Sequence, residues 1–529
     1  MQSAFNSEFS PTPHAVPVPF EDQSTDSILE LVLRASTSAT PTASHGPSNT
    51  PHQHPQTLPS KPAELILLLF GHLPSTTAEL ASIRLKLAAL IADIDLLLSA
   101  QVNAVLHHPA FQKLESSWRG LHYIWKIRRE FASESTTEGN YGDIVLKVLS
   151  VRKSELIRDF NAASEFDQSA LFRKVYEEEF GSPGGKPYGL LISDIEFTNH
   201  PDDLDLLTSL SGVAAAAFAP LIAAASPALL GIDHFKLLDQ PINLPSIVRG
   251  DRYIRWRSLR QDRDTRFIGL TLPRVLLREP WIDDGKNHFG FRFHEDVDQP
   301  DRSHLLWGSA AWALAGVICR SFAMSGWFAD IRGVQRGVDG GGLVTELPAW
   351  SFQTDFDKTI ERCPIEVRIP DAQEAELGEL GLIPISPCAG TPFAAFNSNG
   401  SLHEPERYAA DELATANARI SSMLQYVLCC SRIAHYLKVR IRDTIGDFRA
   451  ATELEDALQS WLHDYVTPDD RADADTKARF PLRNASVELV EEPGRPGSYQ
   501  LKIFLQPHYQ LDQLSSAISF VATRIRLGI

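Results

Sequence analysis

Two short alternating runs near the C-terminus constrain the fold most. Ala485-Ser486-Val487-Glu488-Leu489-Val490-Glu491 and Ser498-Tyr499-Gln500-Leu501-Lys502-Ile503-Phe504-Leu505 flank the segment Glu492-Pro493-Gly494-Arg495-Pro496-Gly497. Successive side chains of a strand point to opposite faces, so Val487 and Leu489 share one face, as do Leu501, Ile503 and Leu505. Proline and glycine between the runs supply the reversal, and the whole reads as a β-hairpin. Leu511 to Arg524 then reads as a closing helix.

Upstream, helical and strand patterns alternate. Leu80, Ile83, Leu87, Leu90, Ile91, Ile94, Leu97 and Leu98 recur at three- and four-residue spacing, the mark of a long amphipathic helix. Pro109 opens a second helix through Trp118, Tyr123 and Ile127. Asp143 to Val151 reads as a strand, Leu156 to Phe180 as a helix, and Pro187 to Asp194 as a buried strand. A helix over Asp202 to Ala225, a strand over Phe267 to Leu272 and a Trp-rich helix over Leu305 to Phe328 follow. Past Glu366 come short strands (Glu366 to Ile369, Leu382 to Ser386, Pro392 to Asn397). A long helix from Ala414 to Ile445, another from Ala457 to Val466 and a loop from Pro468 to Thr476 lead to the hairpin. The pattern predicts an α+β protein with a mixed α/β core, long helices and a C-terminal hairpin. No internal repeat is present.

Three regions are expected. Residues 1–62 are rich in Pro, Ser, Thr and His and bury too little apolar surface to offset ordering entropy, so a disordered tail is expected. Within it, Ile28, Leu31 and Val32 share one face of a short amphipathic helix over Thr25 to Arg34. That helix either docks on a partner or packs on its own domain; both readings stand. Residues 63–365 form the first folded region and 366–529 the second.

The chain has 529 residues and a formal charge of −17, which argues against nucleic-acid or anionic-membrane partners. Its five cysteines, Cys319, Cys363, Cys388, Cys429 and Cys430, show no CxxC or zinc spacing, and reduced thiols in the cytoplasm are expected. Cys429 and Cys430 read as small core residues. No signal peptide is recognisable. The longest apolar run, Val213 to Ala225, is broken by Pro220, falls short of the roughly 20 residues a bilayer requires, and reads as a buried helix.

The block Arg332-Gly333-Val334-Gln335-Arg336-Gly337-Val338-Asp339-Gly340-Gly341-Gly342-Leu343-Val344 lacks the GK[ST] of a phosphate loop and follows a helix, so a structural turn is expected. His107 and His108 point about 100° apart on a helix and cannot chelate together. His52 and His54 fall in the tail. Asp283-Asp284 beside Gly285 reads as a solvated turn, Glu115 with Arg119 as an i, i+4 pair, and Trp307, Trp312 and Trp327 as core. No catalytic assembly, cofactor or metal is expected.

The run His107-His108-Pro109-Ala110-Phe111-Gln112-Lys113-Leu114-Glu115-Ser116-Ser117-Trp118-Arg119-Gly120-Leu121 is joined by two further blocks. These are Leu210-Ser211-Gly212-Val213-Ala214-Ala215-Ala216-Ala217-Phe218-Ala219-Pro220 and Leu272-Pro273-Arg274-Val275-Leu276-Leu277-Arg278-Glu279-Pro280. Together with the glycine block, Ser431-Arg432-Ile433-Ala434-His435-Tyr436-Leu437-Lys438 and Leu505-Gln506-Pro507-His508-Tyr509-Gln510-Leu511, they resemble the large sheath subunit of bacterial type VI secretion systems, the TssC/VipB family. The likeness runs from about Leu96 to Leu527 and implies a contractile tail-sheath-like fold.

It also implies partners. These are a smaller sheath subunit (TssB/VipA-like), further copies of the chain in a helical polymer, an Hcp-like inner tube, a ClpV-like AAA+ unfoldase and a baseplate, with no direct membrane insertion. On that reading Val487, Leu489, Leu501, Ile503 and Leu505 carry strand pairing between protomers. Ile28, Leu31 and Val32 dock the unfoldase, and Asp512 and Arg524 on the closing helix face the inner tube. A non-polymerising baseplate or adaptor protein with the same fold, and a nucleotide-binding protein using the glycine block, are the competing readings.

Overall fold

The computed structural model describes residues 66–526 apart from 68, 135–143, 182–183, 284, 286–289, 298–301, 335–339, 356–357, 362, 389–390, 410, 445–450, 470, 492–497 and 509–517. The expected tail, with Ile28, Leu31 and Val32, lies outside the described residues, as does Asp512.

Two long helices open the described chain, α1 (Thr77–Leu106) and α2 (Pro109–Glu134). The expected strand over Asp143 to Val151 forms no ladder; residues 144–152 run without regular structure and expose Val145, Val148 and Leu149. Alternating sequence alone makes a strand only where another strand stands beside it. The expected helix to Phe180 holds only over α3 (Lys153–Ala162) and then breaks into short turns, one of them π-helical at Arg173–Glu177.

A parallel sheet forms the first core. Its strands are β1 (Leu191–Phe197), β2 (Leu221–Ala225), β3 (Ile268–Leu272) and β4 (Leu382–Pro384), in the spatial order β1-β2-β3-β4. Between them run α4 (Pro201–Ala217), α5 (Ile254–Gln261), α6 (Ala310–Ser325) and α7 (Asp371–Glu379). The sheet is buried on both faces. Leu221, Ala223, Ala225, Leu270 and Leu382 join the cluster holding Leu207 and Trp256, whereas Ile222 and Ile383 join the cluster holding Tyr123 and Val317. Burial on two sides is why these strands read as unbroken apolar runs.

The run Val213 to Ala225 is therefore not one buried helix. Helix α4 stops at Ala217, Phe218 takes a left-handed conformation at φ 51°, and β2 begins at Leu221. Pro220 has no N–H with which to extend a helix. The alanines beyond it gain ladder bonds from strands on both sides, which overrides their helix propensity. The sheet also draws its fourth strand from beyond the expected boundary at 366, because Leu382-Ile383-Pro384 pairs with β3. Buried Arg260 holds this stretch by donating to the carbonyls of Leu402 and Glu379 at 3.1 and 2.9 Å.

Helix α6 is enclosed along its length: every residue from Ala310 to Phe322 is buried. Ser309 caps it by accepting from the Ala311 N–H at 3.0 Å, and Gly326 ends it at φ 77°. Helix α2 packs on it at close range through two glycines. A Cβ on Gly120 would lie 2.4 Å from the Trp312 indole, and one on Gly316 would lie 2.6 Å from Tyr123. Asp194 of β1 accepts from Trp312 Nε1 at 3.1 Å and from the Ser117 hydroxyl, tying sheet, α2 and α6 together.

The remaining chain forms α8 (Glu412–Ser421), α9 (Leu424–Thr444), α10 (Ala451–His463) and an antiparallel sheet of β5 (Leu482–Glu491), β6 (Ser498–Pro507) and β7 (Ile518–Arg526). The expected single helix over Ala414 to Ile445 is broken at Ser422–Met423, where Met423 bridges to Gly400. Helix α9 serves two cores. Leu424, Leu428 and Cys429 pack with α6, whereas Cys430, Ile433, Leu437 and Ile441 pack with α10 and the antiparallel sheet. The vicinal cysteines are core residues as expected, and burial pushes the Cys429 thiol up to about 12, keeping it protonated and inert.

The closing helix is corrected: its described part is strand β7, paired along β6 from Ser498↔Arg526 to Leu505↔Ile518. The segment is rich in β-branched and aromatic residues (Ile518, Phe520, Val521, Thr523, Ile525), and the second edge of β6 supplies the ladder partner that sequence periodicity does not reveal.

His435 joins the two cores by donating from Nε2 to the Ala217 carbonyl at 2.8 Å, and burial pulls its pKa down to about 4. The folded chain thus holds this imidazole neutral, while the unfolded chain protonates it below about 6.5. Stability from this group is complete above that pH and declines as pH falls toward 4. At pH 5 the loss is about 2 kcal/mol. Denaturation midpoints of the wild type should fall between pH 7 and 5 more steeply than those of His435→Gln. A separate expectation concerns the helix contact: Gly120→Ala should lower stability by about 1–3 kcal/mol through overpacking, read as a shift of the chemical-denaturation midpoint.

Candidate assembly surface

The sequence placed the functional surface on the hairpin, and the structure divides that assignment. β6 is the middle strand, with ladders to β5 on one side and β7 on the other. The backbone pairing expected of Leu501, Ile503 and Leu505 is therefore intramolecular here. Their side chains are buried with Val487 against Leu458, Trp461 and Leu462 of α10, and Leu489 is partly buried beside them. A face that must cover a helix cannot also face a neighbour.

The outer edge of β5 is occupied as well. Gln459 on α10 donates from Nε2 to the Ala485 carbonyl at 3.0 Å, and its Oε1 accepts from the Val487 N–H at 2.7 Å. One side-chain amide thus reproduces the two bonds of a neighbouring strand. Glu455, one turn earlier, accepts from the Leu489 N–H at 3.3 Å. At the start of β5, Thr467 donates to the Leu482 carbonyl at 2.8 Å and Val466 bridges to Leu482. Unpaired edge groups invite strand addition, and α10 blunts this edge. The outer edge of β7 is left: among the described residues no strand pairs to it. Arg524 lies on β7 opposite Gln500.

A second surface lies on α2. Tyr123, Ile124 and Ile127 face α6, whereas Phe111, Leu114, Trp118 and Trp125 are exposed, Trp118 by 64%. Exposed aromatics in line on one helix are typical of a surface made to be covered. At its N-terminus the histidines act structurally, His107 stacking on His304 at 4.0 Å. Glu115 pairs with Arg119 as expected and also with buried Arg278 at 2.9 Å, an acid partner the i, i+4 spacing did not reveal. Arg274 grips Glu196 of β1 with two bonds of 2.7 and 2.8 Å, so of the two arginines of the Leu272–Pro280 block one braces α2 and the other the parallel sheet.

Helix α1 also exposes Leu85, Ile91, Leu96 and Leu97. By length and composition it is able to cross a membrane. Asp93 and Asp95 sit near its middle, where each acid would cost about 2.5–3.5 kcal/mol in a bilayer.

The glycine block is a structural turn. Gly333 donates to the Phe396 carbonyl at 2.9 Å, Gly342 to the Gly333 carbonyl at 2.7 Å, and Gly341 to the Asp330 carboxylate at 2.8 Å. A Cβ on Gly342 would lie 2.1 Å from the Phe396 carbonyl oxygen. Among the described residues of the block, the N–H groups of Gly333, Gly341 and Gly342 are already engaged, one of them by an acid. Asp283 similarly accepts from the Gly285 N–H at 3.1 Å in a turn. Among the described residues no cluster of three His, Cys, Asp or Glu is arranged to hold a metal ion.

Comparison with known proteins gives this scaffold its class. A model described as EvpB/VC_A0108, tail sheath N-terminal domain, matches residues 88–403, and one described as EvpB/VC_A0108, tail sheath gpW/gp25-like domain, matches residues 413–524. The interval between them coincides with the passage from the parallel-sheet core into α8. The matched regions are those of contractile tail-sheath proteins. Type VI secretion system sheath protein TssC1 of Pseudomonas aeruginosa (strain PAO1) is 40% identical over 441 residues, covering 83% of this chain and 85% of its own. The chain belongs to the TssC/VipB family and is a structural subunit of a type VI contractile sheath.

The blunted edge is testable. Gln459→Ala leaves the Val487 N–H and the Ala485 carbonyl without partners, a loss of about 1–3 kcal/mol. The variant should unfold at lower denaturant and self-associate more in sedimentation velocity; an unchanged midpoint would show that Gln459 does not hold the edge.

Proposed function

We propose that this chain pairs with a smaller, TssB/VipA-like subunit, and that the pairs stack into a helical tube around an Hcp-like inner tube which contraction drives outward. It acts without catalysis, in the cytoplasm, anchored on a baseplate, and a ClpV-like unfoldase recycles the contracted form. The observation that carries this reading is the asymmetry of the C-terminal sheet, with one edge blocked by α10 and the other, along β7, paired to no strand among the described residues. An open edge that receives a strand from a different surface of the neighbour makes a heterologous contact, the kind that continues into helical polymers instead of closing into dimers. Strand addition there supplies directional backbone bonds while leaving the core of each protomer untouched.

The aromatic stripe of α2 and the apolar face of α1 are the proposed seats of protein partners; Asp93 and Asp95 favour a protein over a bilayer for α1. Recruitment of the unfoldase through Ile28, Leu31 and Val32 belongs to the same reading. The inner-tube contact proposed for Asp512 and Arg524 has Arg524 on a strand instead of a helix.

Co-expression with the small subunit, followed by negative-stain electron microscopy, tests the proposal. Tubes are expected from the full chain. Chains ending at His508, which lack β7, should give soluble complexes and no tubes. Tubes from the shortened chain would reject the β7 edge, and discrete particles from the full chain would reject polymerisation in favour of an adaptor.

A further inference from the structure

Lys438 is the charged group of the core that assembly does not explain. It is half-buried on α9, its Nζ 4.5 Å from the centre of the Phe218 ring, 5.0 Å from Phe180 and 5.4 Å from Tyr176. The three rings come from separate places. Tyr176 sits on the π-helical turn, Phe180 on the helical turn after it, and Phe218 on the left-handed cap of α4. No carboxylate or carbonyl among the described residues accepts a hydrogen bond from this ammonium. The titratable groups facing it are Tyr176 and, one turn earlier on α9, His435, whose ring also lies against Phe180 and Phe218. The His435 Nδ1 is buried without a partner, so the cage holds a second polar atom that its aromatic walls leave unmet.

Rings attract a cation, yet they do not replace water or a counter-ion, and a lysine held in apolar surroundings becomes a nucleophile. Burial lowers the Lys438 amine from 10.5 to about 8. At pH 7.5 roughly a quarter of such amines are neutral, against about 0.1% of ordinary lysines. The position matters because the cage joins α4 of the first core to α9, the helix shared by both cores.

We propose that Lys438 is an amine modification site, acylated at Nζ by an acyl phosphate such as acetyl phosphate. The Nζ lone pair attacks the acyl carbonyl carbon, an N–C bond forms, the C–O bond to phosphorus breaks, and phosphate leaves with that electron pair. The proton lost from nitrogen passes to solvent. The product is a neutral amide, which removes the burden of a half-buried charge and exchanges the cation–π attraction for van der Waals contact with the rings.

The full chain is incubated with acetyl phosphate at pH 7.5, and site occupancy is followed by mass spectrometry of chymotryptic peptides. Lys438 should react about tenfold faster than exposed Lys86 and than Lys126, which is ion-paired to Glu346, with a rate–pH midpoint near 8. Phe218→Leu, or Phe180→Leu if the first variant melts early, should slow Lys438 toward the exposed rate. A wild-type Lys438 no faster than Lys86 and Lys126, or an equal rate in the folded ring variant, overturns the proposal.

Discussion

The core on one face of the parallel sheet is arranged around the burial of α6 from Ala310 to Phe322. A helical stretch so enclosed cannot carry an unmet polar group, and this one carries Arg320. Its guanidinium donates to the Gly341 carbonyl at 2.9 Å, which fixes where the glycine block must pass. That block must then fold tightly enough to bring Gly333, Gly342 and Phe396 into backbone contact, and only glycine permits the approach. The same enclosure demands small residues where α2 crosses, at Gly120 and Gly316. A run that resembles a nucleotide loop and a run that resembles nothing catalytic are both consequences of one buried helix.

The antiparallel sheet follows a different logic. The parallel sheet is packed on both faces, whereas the C-terminal sheet packs one face on α10 and manages its edges unequally. Gln459 and Glu455 act as a substitute strand for β5, and nothing among the described residues does so for β7. Protein interiors are close-packed and resist continuous deformation, so a sheath that changes length must do so by repacking contacts between subunits. A scaffold braced by Arg274–Glu196, Arg278–Glu115 and Arg260 suits that division, because rigid protomers transmit displacement instead of absorbing it.

Local signals in the sequence suffice for the hairpin strands, whose partners adjoin them, and the apolar run after Phe267 marks a buried strand although its partners β2 and β4 are distant. The helix expected over Leu305 to Phe328 is shorter, Ala310–Ser325, with Trp307 in a short strand before it and Trp327 beyond its end. Readings failed where a distant partner decides the outcome. Val213 to Ala225 has the composition of a helix, and only the strands flanking β2 turn its second half into the middle of a sheet. Residues 144–152 alternate like a strand and remain unpaired. The segment at Ile518 becomes β7 because β6 has a second edge. Edge blunting was equally illegible, since Gln459 lies 26 residues from Ala485 and 28 from Val487 in sequence, and neither spacing nor composition announces that an amide will stand in for a strand.

The hairpin shows how the reading of one element bears on the next. Alternation correctly placed Leu501, Ile503 and Leu505 on one face of a strand, but it could not say whether that face met a helix or a neighbour. With a closing helix assumed after it, β6 would have been an edge strand and the natural place for a partner. Once the last segment is a strand, β6 becomes interior, the apolar face belongs to α10, and the available backbone moves outward by one strand to β7. The chemistry of recognition is the same in both pictures, unpaired N–H and C=O groups along an extended edge, but its address changes. A polymer contact made by the last strand of the chain can be added or withdrawn without opening either core, which a contact through β6 could not.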